Sequence, residues 1–476
     1  MAERAALNAY WVPEGACRAT GPFGDMGLEV QERALGPGHV PVRIPTFSPH
    51  TLRELLAALR EKRSAVLAER PVTEILGSIG MAAERLTSPG EPLYEELLDT
   101  LPELTGYSRR MIEIGLERMS VGWSAEALRS AIEDEFGSLE VLDDFQPRPS
   151  GGHQRAFGPP LTVHVFSGNI PGISVSSLVR ALCVKSASFG KTAAGEPYLA
   201  VCFARALAEE HAELAGCLAV SYWPGGSEDL EAVAFSEAGA VIAYGSDETI
   251  SDVGCRVPAA TRFIGYANRV GVALVTQRAL SRKRAPELAR GAALDVATFD
   301  QQGCVSPHTI YAEAGGAVGP LDFARQLGDA LEELSKEIPR GAMSPGESAL
   351  IHQLRAHAEI RGATILAGER GTEWTVIVEE SAEFEPSPLN RVIRVCSVDD
   401  LSDAISELEK VGTHLQTVAV AGEGEEVRSL AARLGAIGAT RVVPVGGAGW
   451  PAPHWHHDGR FQFMDLVRFV DLENSQ

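Results

Sequence analysis

Residues 161–169, Leu161-Thr162-Val163-His164-Val165-Phe166-Ser167-Gly168-Asn169, decide the fold. A short apolar run that stops abruptly at Ser-Gly-Asn reads as a buried strand delivering a loop. The same strand-and-helix unit then recurs along the chain. Residues 172–185 have a helical pattern and 186–191 read as a second strand. A long helix is expected over 196–213, with Leu199, Cys202, Phe203, Ala206 and Leu207 on one stripe. A strand at 218–223 ends in Pro224-Gly225-Gly226, and Ser227 has the character of an N-cap for a helix over 228–238. Residues 240–244 form another strand, ending in Gly245-Ser246 before a helix that starts at Asp247; 262–266 and 270–275 add two more strands. This alternation predicts a doubly wound parallel sheet over about residues 160–280.

A second α/β stretch begins near 283. Helices are expected up to 298 and over 321–336, 398–410 and 425–434; strands are expected at 309–313, 374–378, 391–396, 416–421 and 441–444. Before the first sheet the chain is mostly helical. Leu52, Leu55, Leu56 and Leu59 fall at helical spacing, and similar patterns recur near 72–86, 91–100, 108–119 and 124–136. The Pro/Gly-rich segment 146–160 marks the best boundary. The expected organisation is an α-rich extension over 1–150, a dinucleotide-binding domain over 151–280, a catalytic domain over 281–445, and a tail over 446–476. Within the tail, residues 463–473 alternate enough to form a strand.

Composition narrows the class. The chain has 476 residues, 45% hydrophobic and 22% charged, as an ordinary globular protein has. A net charge of −22 argues against a general nucleic-acid binder. No apolar run approaches a membrane span, and the first residues lack the layout of a secretory signal, so a cytoplasmic location is expected. Seven scattered cysteines (17, 183, 202, 217, 255, 304 and 396) with no CxxC pair fit a reduced compartment better than a disulfide framework.

Few residues suggest chemistry. Cys304 lies in the polar, non-periodic loop Phe299-Asp300-Gln301-Gln302-Gly303-Cys304-Val305-Ser306-Pro307-His308, directly before a strand. Loop tips on rigid scaffolds are where nucleophiles sit, although an inert loop cysteine has the same local sequence. Cys183 and Cys202 fall on apolar helix stripes and read as core filler. No G-x-G-x-x-G comes after the first strand. The turns Gly225-Gly226-Ser227 and Gly245-Ser246-Asp247 would admit a pyrophosphate at a helix N-terminus, but two plain β–α turns would look the same. The run His454-Trp455-His456-His457-Asp458 invites a metal reading; with no second ligand cluster, and with Pro451 and Pro453 before it and Gly459 after it, a hydrogen-bonded loop is the better one. P-loop, G-x-S-x-G and H-E-x-x-H motifs are absent.

Taken in order, these features resemble the aldehyde dehydrogenase superfamily, and within it the LuxC-type fatty acyl-CoA reductase branch. The likeness runs over roughly 160–476. Its most specific parts are the Cys304 loop, Phe166-Ser167-Gly168-Asn169-Ile170-Pro171, and the tail Val443-Pro444-Val445-Gly446-Gly447 with His457-Asp458-Gly459-Arg460 and residues 465–471. The resemblance implies an aldehyde dehydrogenase-like α/β fold and a homo-oligomer joined through an edge strand, for which 466–472 would serve. It implies Cys304 as nucleophile and Asn169 as an oxyanion donor. For the cofactor it implies Ser167, Lys191, Gly226, Gly245 and Ser246, with Glu385 in the segment that binds the nicotinamide ribose.

Two departures from the superfamily pattern carry information. Hydrolytic members place a Glu three residues after the Lys, against the ribose 2′-hydroxyl; here that position is Ala194, which favours NADPH and leaves NADH as the alternative. Glu196, two residues on, could partly restore the acid. The segment that carries the hydrolytic base in oxidising members is Ile264-Gly265-Tyr266-Ala267-Asn268-Arg269-Val270, without a carboxylate. The expected reaction is NADPH-dependent reduction of an acyl thioester, fatty acyl-CoA or another acyl donor such as an acyl-transferring partner protein, to the aldehyde through an acyl-cysteine. The rival expectations are a hydrolytic aldehyde dehydrogenase, a non-catalytic acyl-carrying subunit of a multienzyme complex, and a metal hydrolase built on the 454–458 histidines.

Overall fold

Apolar strand runs alternating with amphipathic helices do build parallel sheets in this chain. A computed structural model describes residues 5–13, 28–369 and 371–473, so Cys17 lies outside the described residues. The chain divides into two compact units: Met1–Ala267 with Ala452–Trp455 and Arg460–Gln476, and Asn268–Pro451 with His456–Gly459.

In the first unit five parallel strands lie in the order Arg262–Tyr266, Ala240–Tyr244, Leu161–Val165, Ala187–Thr192, Leu218–Tyr222. The chain starts in the middle strand, fills one side, then returns to fill the other. The order therefore reverses beside Leu161–Val165, which is a topological switch point. Every residue of that strand is buried, as a central parallel strand covered on both faces requires. Leu52, Leu55, Leu56 and Leu59 are the buried stripe of the helix Pro49–Val66, and Val72–Thr87 packs against Leu199–Ala215. The N-terminal segment also contains the strands Val30–Leu35 and Val40–Pro45, paired antiparallel. Arg468–Leu472 lies at the edge of a small sheet, antiparallel to His153–Phe157.

The second unit holds seven strands in the order Thr364–Ala367, Thr375–Glu379, Val392–Val398, Pro307–Glu313, Val270–Val275, Leu415–Ala421, Arg441–Pro444. All pairs are parallel except the first. Val270–Val275, grouped with the first sheet on sequence, is the middle of this one, between Pro307–Glu313 and Leu415–Ala421. Periodicity shows a strand but not its neighbours, and no break separates 262–266 from 270–275.

Helix Pro345–Ile360 and strand Thr364–Ala367 are not evident from sequence periodicity. The helix has little buried stripe, only Ile351 and Ala358. Its start signal is nevertheless present: Ser344 caps it, Pro345 opens it, and Glu347 closes a capping box. Among the described residues no helix is long and apolar enough to cross a membrane.

Candidate active site

In the first unit the carboxyl ends of the parallel strands gather the small and cationic residues expected there. Phe166 N–H bonds Lys191 O at 2.9 Å, so the loop after Leu161–Val165 starts beside the end of the next strand. There Gly168 and Gly195 pass so closely that a Cβ on Gly168 would lie 3.0 Å from the Gly195 Cα. The backbone of Asn169 is held by Tyr107, whose hydroxyl donates to its carbonyl at 2.5 Å. Next comes Gly172 in a left-handed conformation (φ 99°), where a Cβ would press to 2.7 Å from the Met119 sulfur. The residue opens the helix Ile173–Cys183, and only glycine fits. Trp123, fully buried, steadies that helix through a 2.9 Å bond to the Ser176 hydroxyl.

Lys191 is buried at the end of its strand, and desolvation pulls its ammonium below the usual lysine range, with Glu231 acting in the opposite sense. Across the switch point Ser246 caps Asp247–Arg256 by accepting from Thr249 N–H at 3.3 Å, and a Cβ on Gly245 would meet Thr249 at 2.9 Å. Gly226 takes a left-handed φ of 80° with open space around it. Ser227 stands at the N-cap position of Glu228–Glu237, but its hydroxyl donates backwards to Pro224 O at 2.9 Å and caps nothing. Ala194 is exposed. Glu196 does not restore the missing acid: it is buried and accepts from Tyr198 N–H (2.8 Å) and Leu199 N–H (2.7 Å), capping the next helix from inside. Burial raises its carboxyl.

The second unit contains the thiol. Cys304 sits in a turn closed by a 3.0 Å bond from Ser306 N–H to Gly303 O, at the amino end of Pro307–Glu313, and keeps partial solvent access. The turn is set by what precedes it. Phe299, Asp300 and Gln301 are all left-handed (φ 47°, 49° and 68°), and so are Leu389, Asn390 and Arg391 (65°, 55° and 62°). The two runs clasp each other. Asn390 N–H bonds Asp300 O at 3.0 Å, the Arg391 guanidinium meets the Asp300 carboxylate at 2.7 Å, and Gln301 bridges Pro307 O and Val392 O (2.7 and 2.9 Å) while accepting from Val392 N–H at 3.0 Å.

Crowding by protein atoms pushes the Cys304 thiol up to about 11; the Asp458 carboxylate adds to this, while the Gln416 amide and Arg269 oppose it. His308 is buried and its Nδ1 accepts from Ser387 N–H at 3.1 Å, so the ring is a structural tie; desolvation lowers it to about 4. Glu385, expected to hold a nicotinamide ribose, is pinned between Arg361 (2.7 Å) and Arg394. Gly446 and Ala448 of the tail motif donate to Asp295 at 2.7 and 2.8 Å, and Arg441 donates to Gly447 O and Ala448 O, both at 2.7 Å. Burial raises Asp295 to about 6.

Among the described residues no three His, Cys, Asp or Glu side chains are grouped as a metal site. Sequence reasoning misses residues 300, 391, 416 and 441 as members of the thiol's surroundings. One signal is available: Arg391 precedes and Arg394 interrupts an apolar strand, and a buried guanidinium demands a carboxylate.

Comparison with known proteins agrees with this architecture. The fold is that of the aldehyde dehydrogenases. The aldehyde dehydrogenase KauB of Pseudomonas aeruginosa superposes with a TM-score of 0.74 at 14% identity, covering 98% of this chain and 96% of that one. A putative methylmalonate-semialdehyde dehydrogenase of Sinorhizobium meliloti, solved with NAD, gives 0.71 at 16% identity, covering 99% and 98%. The model of the acyl-CoA reductase (LuxC) family matches residues 67–469, and the chain belongs to that family. Relatives include the long-chain acyl-protein thioester reductases of Aliivibrio fischeri, 26% identical over 382 residues (77% of this chain, 75% of that protein), and Vibrio harveyi, 24% identical over 372 residues (77% and 76%).

Two consequences are measurable. Arg391→Leu strands the buried Asp300 carboxylate and should destabilise the protein by about 3–5 kcal/mol in urea titrations; a change below about 1 kcal/mol would show the clasp to be dispensable. His308 contributes stability that is full above its unfolded pKa near 6.5 and is lost as pH falls through about 4. The amplitude should be about 3 kcal/mol, and His308→Gln should flatten that part of the stability–pH curve.

Proposed function

We propose that this protein reduces a long-chain acyl thioester to the aldehyde with NADPH, through a covalent acyl group on Cys304. The observation that carries this reading is the family match across 67–469, a span that contains both the Cys304 turn and the carboxylate-free segment 264–270. The names of the relatives favour a fatty acyl group presented on a protein thiol, with acyl-CoA as the second donor.

The first unit fits a dinucleotide. Small residues stand at two strand ends flanking a switch point, Ser246 opens a helix, and Lys191 brings a cation. Exposed Ala194 and inward-turned Glu196 leave no carboxylate to repel a ribose 2′-phosphate, which is why NADPH is preferred over NADH. Bound there, NADPH would supply the hydride. The chain's own part begins at sulfur. The Cys304 thiolate attacks the acyl carbonyl, the C–S bond to the donor breaks, and the donor leaves as a thiol after taking a proton. Asn169 is assigned to the oxyanion on the resemblance of its strand end. With no carboxylate in 264–270 to activate water, the acyl-enzyme persists until it is reduced. Once the acyl carbon is reduced, its bond to the Cys304 sulfur breaks, the aldehyde leaves, and the freed thiolate takes up a proton from solvent. Self-association through the edge strand Arg468–Leu472 belongs to the same proposal.

NADPH oxidation with a panel of acyl-CoA and acyl-protein thioesters, with aldehyde detected as product, tests the reading; acid as the product would replace it with a hydrolytic one. Cys304→Ala should abolish labelling by radioactive acyl donor, and retained label would remove the residue from this role. Asn169→Ala should slow turnover roughly 100-fold or more.

A further inference from the structure

One group beside the nucleophile has no part in the acyl-transfer chemistry. Asp458 ends the histidine-rich run and stands in the left-handed region (φ 54°), with its side chain only 4% exposed. Its Oδ1 accepts from the Gln416 carboxamide nitrogen, and its Oδ2 lies 3.1 Å from the Arg269 guanidinium. Gln416 itself is fully buried at the start of the strand Leu415–Ala421. A carboxylate is an acceptor only. It therefore fixes which way the amide is turned, with the nitrogen rather than the oxygen towards Asp458. The same carboxamide is a neighbour of the Cys304 thiol and acts to lower it.

The arrangement also creates a difficulty. Asp458 is an anion beside a sulfur that must become one. The charged groups facing Cys304 are Asp458, Arg269 and Arg441. Arg441 is spent on two carbonyls of the Gly447–Ala448 loop. Arg269 is the one paired with Asp458.

We propose that Gln416, Asp458 and Arg269 are positioning residues for Cys304: Asp458 turns the Gln416 amide N–H to the sulfur, and Arg269 neutralises Asp458 so that its charge does not oppose the thiolate. The assignment rests on Cys304 being the nucleophile. It gives the Asp458 carboxylate a task unrelated to metal binding.

The test is the rate at which iodoacetamide alkylates Cys304 in the intact protein at pH 8, followed by mass spectrometry of the peptide so that exposed Cys255 is counted separately. A Cys304→Ser control identifies the peptide. Neither acyl donor nor nucleotide is present, so the outcome is independent of whether the protein reduces thioesters. Arg269→Met should slow labelling about tenfold, the effect of one unmasked charge near the sulfur. Asp458→Asn, which keeps an acceptor oxygen and loses the charge, should label at least as fast as the parent. The double variant should regain a rate within about threefold of the parent, since a charge that is absent needs no mask. A merely structural role would not produce that rescue. An unchanged rate in Arg269→Met, or a double variant as slow as it, overturns the proposal. Should Arg269→Met fail to fold, Gln416→Leu leaves the ion pair intact and decides the matter: slow labelling supports the assignment, and a parental rate overturns it.

Discussion

The Asp300–Arg391 pair is the constraint on which the thiol's geometry depends. Left-handed backbone costs an ordinary L-residue roughly 1–2 kcal/mol, and the second unit accumulates three such residues on each side of this pair. Neither run would persist alone. Each is held by the other through a charge pair with almost no solvent access and through the Gln301 carboxamide, which saturates three backbone groups of the opposing segments. Asp300 Oδ2 also accepts from Gly341 N–H at 2.9 Å, and Arg391 Nη1 reaches the Ser335 hydroxyl at 3.3 Å. Strain of this kind fixes a loop more firmly than packing does, because any relaxation breaks several buried hydrogen bonds together. Cys304 comes three residues after the clasp, so its turn inherits that rigidity.

A rigid loop does not make a reactive thiol. Burial pushes the Cys304 thiol up to about 11, so the sulfur rests protonated at neutral pH. The oppositely acting groups, an amide donor and a guanidinium, come from residues 416 and 269, distant in sequence but within the same unit. Their balance against burial and Asp458 sets how far the thiol is raised.

The proposed nucleotide site of the first unit poses a different problem. A dinucleotide bound without the glycine fingerprint needs backbone it can approach closely, and the small residues of the proposed site stand at strand ends. Ser167-Gly168, Gly225-Gly226 and Gly245-Ser246 each come after a parallel strand, and the sheet order reverses between the first and last of these. The inward turn of Glu196 uses a potential ribose acceptor as a helix cap. Its Oε1 takes both backbone donors and its Oε2 accepts from the Ser174 hydroxyl at 3.3 Å, so the buried carboxylate is engaged at both oxygens.

Most of the elements are legible in the sequence because their signals are local. The strand at 161–165, the capped helix at Asp247 and the leucine stripe at 52–59 each arise from a periodicity and a terminator within a dozen residues. The sheet membership of Val270–Val275 is not legible, since pairing is decided by partners 37 and 145 residues away, at Pro307 and Leu415. The thiol's location can be read from its loop; its electrostatics cannot. Asp458 reads as a candidate metal neighbour because three histidines precede it closely in sequence, whereas its partners Gln416 and Arg269 are brought to it only by the fold. Glu385 shows the converse. A glutamate in the right segment invites a ribose, yet here it joins Glu379 as a second counter-charge to Arg394, nine residues further on and buried in an apolar strand. That pairing depends on Arg394 and on Glu379 of the neighbouring strand, so the glutamate's own segment does not reveal it.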